Sequence, residues 1–324
     1  MCWPPAGRWA PSPAAVVRPV WPGWRSARHV RCSPSSGRRV AMSETTRTPS
    51  PAALEEERRV LGLKPVLAPR HHRYGPHSQQ VYDLWPAENT EAGAGEAPLV
   101  ILLHGGYWRY DRMHLTPFAA HLARHGFTVV LPGFRRSGGA GGYPATFDDI
   151  ALAVDSIPAG RPYALVGHCS GGHLALWAAA RALLPEDSPW HTAALPTAVL
   201  ALAPLTDLAA TARDDLSNGA ALQLLGGAAQ FGARLSLVDP LTLLREHGST
   251  GVRTVVLHGA VDEEVPLAQF SDYTDAHRDA ELLTLPGTGH YTLIEPGSPA
   301  SREVIACLNR LAAAMRPDQK RSTP

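Results

Sequence analysis

From about residue 78 onward the chain repeats one pattern: a short apolar run, a glycine- or proline-bearing break, then a stretch with helical spacing. That alternation is what βαβ units look like in sequence, and it calls for a mostly parallel sheet flanked by helices. The expected strands are Gln80–Trp85, Leu99–His104, Phe127–Pro132, Tyr163–His168, Ala198–Pro204, Val252–His258 and Glu281–Pro286. Helices are expected near Leu115–His125, Phe147–Ile157, Ser170–Leu183, Leu267–Ala276 and Pro299–Met315. The middle runs are apolar at every position, as strands covered on both faces must be. Residues 206–251 are rich in alanine and leucine and predict a small helical insert, either a lid over the strand ends or a long crossover. The fold class is therefore α/β, with helices on both faces of a mostly parallel central sheet.

Composition narrows the partners. The 324 residues are 44% hydrophobic and 18% charged, which suits a soluble globular protein with a sizeable core. Lysine and arginine number 30 and acids 29, for a net charge of +1. Seven of the arginines (Arg8, Arg18, Arg25, Arg28, Arg31, Arg38, Arg39) and no acid fall in residues 1–41, so the other 23 basic residues face all 29 acids. Such a mildly acidic body gives no reason to expect nucleic acid or a membrane surface as partner. The basic head is a poor secretory signal, because prolines and arginines interrupt every apolar stretch. It resembles a transit peptide only in lacking acids. Residues 1–60 are expected to form a disordered Pro/Arg-rich extension, with Met42 an alternative start. Residues 65–315 are expected to form the folded domain and 316–324 a disordered tail. Cys2, Cys32, Cys169 and Cys307 make no CxxC pair, which fits a reducing, cytoplasmic setting. No apolar stretch approaches the ~18 residues of a membrane span.

In open sheets of this kind ligands bind beyond the carboxyl ends of the strands. One strand runs into LVGHCSGGHLALW, residues 165–177. A sharp strand-to-helix corner needs small residues two before and two after the side chain it presents. Cys169 has Gly167 and Gly171 in those places, whereas Ser170 would have His168 and Gly172. The register therefore puts Cys169 at the corner and Ser170 in the first helical turn, its backbone N–H facing a developing oxyanion. An inert, packed cysteine is the alternative. In LLHGGYW (102–108), Gly105, Gly106 and Tyr107 are candidates for further oxyanion donors. In VVLHGAVDEEVP (255–266), Asp262 is the favoured acid, with Glu263 and Glu264 expected to be solvated and Asp207 of LAPLTDL the runner-up. LPGTGHYTLIEP (285–296) presents His290 as the candidate base.

The chain order of nucleophile, acid and base is that of the α/β-hydrolase scaffold. From about Tyr74 to Met315 the chain resembles α/β-hydrolase-fold enzymes, and within them the arylformamidase (kynurenine formamidase)-like and related carboxylesterase branch. The likeness is carried by HGGYW (104–108), FRRSGGAGGYPATFDD (134–149), GHCSGGHLALW (167–177), LAPLTDL (202–208), HGAVDEEVP (258–266) and GTGHYTLIEP (287–296). It implies a nucleophile at Cys169, acid at Asp262, base at His290, and oxyanion donors at Gly106 or Tyr107 together with Ser170. The departure is cysteine where those relatives carry serine.

Cysteine changes the expected chemistry. A thiol at a helix N-terminus beside an imidazole can ionise before it attacks. Attack on an ester, lactone or activated amide would give a thioester, which water or another nucleophile resolves. Thiolate leaves more readily than an amine or alkoxide, so activated acyl groups and N-formyl anilides are favoured over plain amides. The expectation is a hydrolase of small-molecule esters or aryl formamides, requiring no metal or cofactor. Trp108, Phe134, Tyr143 and Tyr291 are expected to line an aromatic pocket. The alternatives are an acyltransferase or thioesterase, and a binding protein that has kept the fold without the chemistry.

Overall fold

Eight strands make a single sheet in the computed structural model, which describes residues 48–88, 97–277 and 280–315. In chain order they are β1 (Arg70–Arg73), β2 (Val81–Trp85), β3 (Leu99–Leu103), β4 (Thr128–Pro132), β5 (Tyr163–His168), β6 (Ala198–Leu202), β7 (Arg253–Gly259) and β8 (Ala280–Leu285). Their spatial order is β1-β2-β4-β3-β5-β6-β7-β8. β1 with β2 and β2 with β4 pair antiparallel, and every other neighbouring pair is parallel. The register aligns Leu103 with Gly167, His168 with Leu202, and Gly259 with Leu285. The loops that leave β3, β5, β6, β7 and β8 consequently emerge along one edge.

Strand side chains alternate between two cores, as a period of two demands. Leu99, Ile101 and Leu103 of β3 join one cluster, while Val100 and Leu102 join the other. The first is closed by α3 (Ala145–Ser156), α4 (Ser170–Ala179), α8 (Pro240–His247) and α9 (Ala268–Ala276), contributing Phe147, Trp177, Leu243 and Phe270 among others. The second is closed by α2 (Thr116–Arg124) and α10 (Pro299–Met315), through Phe118, Leu122, Val304 and Leu308. Among the described residues no helix is long and apolar enough to cross a membrane.

The insert between β6 and β7 contains α5 (Leu208–Arg213), α6 (Ala220–Leu224) and α7 (Ala228–Val238), followed by α8. Asp239 knots its two ends. One carboxylate oxygen accepts from Leu208 N–H at 2.7 Å, and the other caps α8 by accepting from Thr242 N–H at 2.9 Å. Such a cap satisfies N–H groups that a helix start leaves unpaired.

Helix α1 (Pro51–Leu61) lies inside the stretch expected to be an extension up to residue 60. The local reasons are a Ser50 N-cap that accepts from Ala53 N–H at 3.1 Å and a proline in the first turn. Residues 1–47 and 316–324, where a disordered extension and tail were expected, lie outside the described residues.

Candidate active site

Cys169 occupies the corner between β5 and α4 with φ 57° and ψ −122°, a conformation few non-glycine residues hold. Neighbouring backbone enforces it. Cys169 N–H donates to Leu202 O at 2.9 Å, and His173 N–H donates to Cys169 O at 3.2 Å. A methyl group on Gly167 would run into the carbonyl of Gly171, and one on Gly171 into the carbonyl of Leu103. The two glycines read from the sequence thus mark real backbone contacts, and they hold the register on position 169. Ser170 is turned away. Its Oγ accepts the N–H of Trp108 at 3.2 Å, which ties the loop after β3 to the first turn of α4.

His290 lies on the loop after β8, near enough to Cys169 for the sulfur to act on its imidazole. On its other side Nδ1–H donates to Asp262 Oδ2 at 2.7 Å. Asp262 Oδ1 in turn accepts from Glu264 N–H at 2.8 Å and Val265 N–H at 2.9 Å, which fixes the carboxylate. Burial pushes the His290 imidazole down, but the Asp262 carboxylate and Cys169 sulfur push harder, and it ends well above its ordinary value. Burial likewise works to raise the Asp262 carboxyl, and the His290 charge and hydrogen bond outweigh it, leaving it lowered. The runner-up acid is elsewhere: Asp207 caps α5 by accepting from Ala210 N–H at 2.8 Å. Glu263 accepts from Ser50 N–H at 2.8 Å. Glu264 is largely buried, where solvation had been expected, and its carboxyl is raised by burial against the opposing pull of His290.

The loop after β3 wraps the sulfur closely. A methyl group on Gly105 would sit 2.9 Å from Cys169 Cβ and 2.7 Å from His168 O. Gly106, Tyr107 and Trp108 all have positive φ, and the Trp108 N–H reaches the first residue of α4. No side chain caps the start of α4. Arg109 secures the loop from outside, donating to Gln223 Oε1 and Ser217 O of the insert, each at 2.6 Å.

The aromatic residues divide. Tyr291 packs edge-on to His290, ring centroids 4.9 Å apart, and Tyr107 donates its hydroxyl to Glu264 O at 3.3 Å. Tyr143 is half-buried under the Arg234 guanidinium at 4.3 Å. Trp108 and Phe134, expected to line an aromatic pocket, are both buried in the core. The Trp108 indole donates to His173 Nδ1 at 3.2 Å, and Phe134 stacks on His104 at 4.2 Å. Three buried histidines escaped sequence reasoning. His173 bridges Trp108 to Val238 O, His168 Nε2 bonds His290 O at 3.0 Å, and His258 Nε2 stands 3.7 Å from Asp262 Oδ2. His168 adjoins Cys169 and His258 lies four residues before Asp262, and that nearness is the signal that could have found them.

The arrangement sets a thiol at a strained elbow near an imidazole that a buried carboxylate holds. No curated protein matches the chain in sequence. Among solved structures, esterase B from Lactobacillus rhamnosis superposes with a TM-score of 0.63 at 19% identity, covering 82% of this chain and 92% of that one. A truncated carbohydrate esterase from gut microbiota gives 0.60 at 17%, covering 78% and 100%. Carboxyl esterase 2 from the fungus Tuber melanosporum gives 0.56 at 16%, covering 73% and 81%. At these identities the likeness is one of fold. The model of the alpha/beta hydrolase family matches residues 100–301, most of the sheet with Cys169, Asp262 and His290 inside it, and the chain belongs to that family.

Proposed function

We propose that the protein is an acyl hydrolase that cleaves an ester or aryl-formamide bond through Cys169, His290 and Asp262. One observation carries this reading. The glycine-flanked elbow carries the thiol of Cys169, while the Ser170 hydroxyl is committed to Trp108 N–H.

In this reading the Cys169 sulfur attacks the acyl carbonyl carbon as His290 holds the thiol proton on Nε2. The tetrahedral oxyanion receives N–H groups from Gly106 or Tyr107 and from Ser170. Collapse breaks the bond to the leaving oxygen or nitrogen, which takes the proton from His290 and departs as alcohol or amine. A thioester remains on Cys169. Water then gives a proton to His290 and attacks that thioester, and the sulfur leaves with the proton returned, releasing a carboxylic acid. Asp262 keeps Nδ1 protonated throughout. Tyr107 and Tyr291 at the mouth favour an aromatic or mid-sized apolar small molecule.

The test is intact-mass analysis after mixing with p-nitrophenyl acetate. Wild type and Ser170→Ala are expected to form an acetyl adduct that Cys169→Ala does not. An adduct lost in Ser170→Ala and kept in Cys169→Ala would overturn the assignment. So would the absence of both adduct and turnover across aryl esters and N-formyl anilides.

A further inference from the structure

Helix α1 lies outside residues 100–301, yet it is fastened to both loops that carry the acid and the base. At its start Ser50 N–H donates to Glu263 Oε2 at 2.8 Å, one residue beyond Asp262. In its middle Glu56 Oε1 accepts Thr292 N–H at 2.6 Å, two residues beyond His290. Near its end Arg59 makes a forked pair with Glu295, Nε to Oε1 at 2.7 Å and Nη2 to Oε2 at 3.0 Å. The Glu56 carboxylate also fills the space a side chain at Gly289 would need, so it meets the backbone on both sides of His290. Only Val60 of α1 is buried, so the helix is held by these polar ties rather than by an apolar stripe.

We infer that α1 is a clamp on the catalytic loops, with Glu56 the positioning residue that sets His290 against Cys169. The inference rests on the proposed roles of Cys169, His290 and Asp262. Glu56 acts through its hydrogen bond to Thr292 N–H, not by charge. A neutral amide oxygen accepts the same bond, which separates the two modes of action. Gly289 offers a second handle, since its φ is not in the left-handed region and alanine there would displace the Glu56 carboxylate without otherwise straining the backbone.

The experiment compares wild type, Glu56→Gln, Glu56→Ala, Gly289→Ala and the double variant Glu56→Ala/Gly289→Ala. Steady-state aryl-ester kinetics are measured beside the rate of Cys169 alkylation by iodoacetamide at pH 6, read by peptide mass. Glu56→Ala is expected to lower kcat by about 10-fold or more with KM changed less than about twofold, and to slow alkylation by a similar factor. Glu56→Gln should stay within about threefold of wild type. Gly289→Ala should match Glu56→Ala, and the double variant should be no worse than either, as expected for two lesions in one contact. Thermal melts identify any variant that has lost its fold, and the glutamine variant keeps the test open if alanine does. Unchanged kcat and alkylation in folded Glu56→Ala would overturn the clamp, as would a glutamine variant as impaired as alanine. Wild type lacking Cys169-dependent turnover would instead overturn the underlying functional reading.

Discussion

Cys169 combines two properties that ordinary packing would not put together. Its backbone sits where a non-glycine residue loses roughly 1–3 kcal/mol, and its sulfur helps hold a histidine well above its ordinary value. The carboxylate of Asp262 does most to raise that histidine, against burial working the other way. Asp262→Asn removes this charge, so the imidazolium is given up at lower pH. For alkyl esters, whose leaving group needs a proton, the alkaline limb of kcat should move down by about one pH unit or more. For p-nitrophenyl esters, which leave without a proton, that limb should barely move. The variant should also lose about 10²–10⁴-fold in kcat, since the amide cannot hold Nδ1–H as the carboxylate does. Equal limbs for both ester classes would show that His290 is not the proton donor.

At the scale of elements the elbow is a contact between two backbones, and its glycines are the points where strand and helix touch. Gly171→Ala forces a methyl group against the carbonyls of Leu103 and His104, neither of which can rotate aside. The expected result is a loss of at least about 2 kcal/mol in urea denaturation, or failure to fold. Gly160→Ala meets no neighbouring atom, but its positive φ still carries a small backbone cost, so it serves as the milder control. These contacts were legible because the sequence spaces its glycines around one corner. The central strands were legible too, since β3 through β6 are buried at every residue and read as unbroken apolar runs. β1 was not. Its residues, Arg70 to Arg73, are all exposed, pair on one side only, and carry no hydrophobic signal. α1 was hidden for the same reason.

The whole molecule buries an unusual number of neutral imidazoles around its sheet. Burial is the largest cause in each case, taking His104 to about 3, His173 and His258 to about 4, and His168 well below its ordinary value. In the unfolded chain these groups titrate near ~6.5. Between the two limits the unfolded state binds protons the native state refuses, so stability rises with pH there and falls on acidification below about 6.5. Asp239, raised to about 6 chiefly by burial, works the opposite way between ~4 and 6, but it is one group against several. The unfolding free energy from urea titrations should fall between pH 7 and pH 5, by on the order of 2 kcal/mol per pH unit. A flat profile would mean those histidines are solvated. The triad candidates could be read from the sequence because each sits beside a glycine-marked strand end. Their fastening could not, since Glu56 and Thr292 are 236 residues apart and nothing local announces the pair. That separation has a practical consequence for anyone trimming the gene. A polypeptide begun just after Leu61 would keep all eight strands yet lose every tie from Ser50, Glu56 and Arg59 to the loops bearing Asp262 and His290, so its activity should drop as that of Glu56→Ala does.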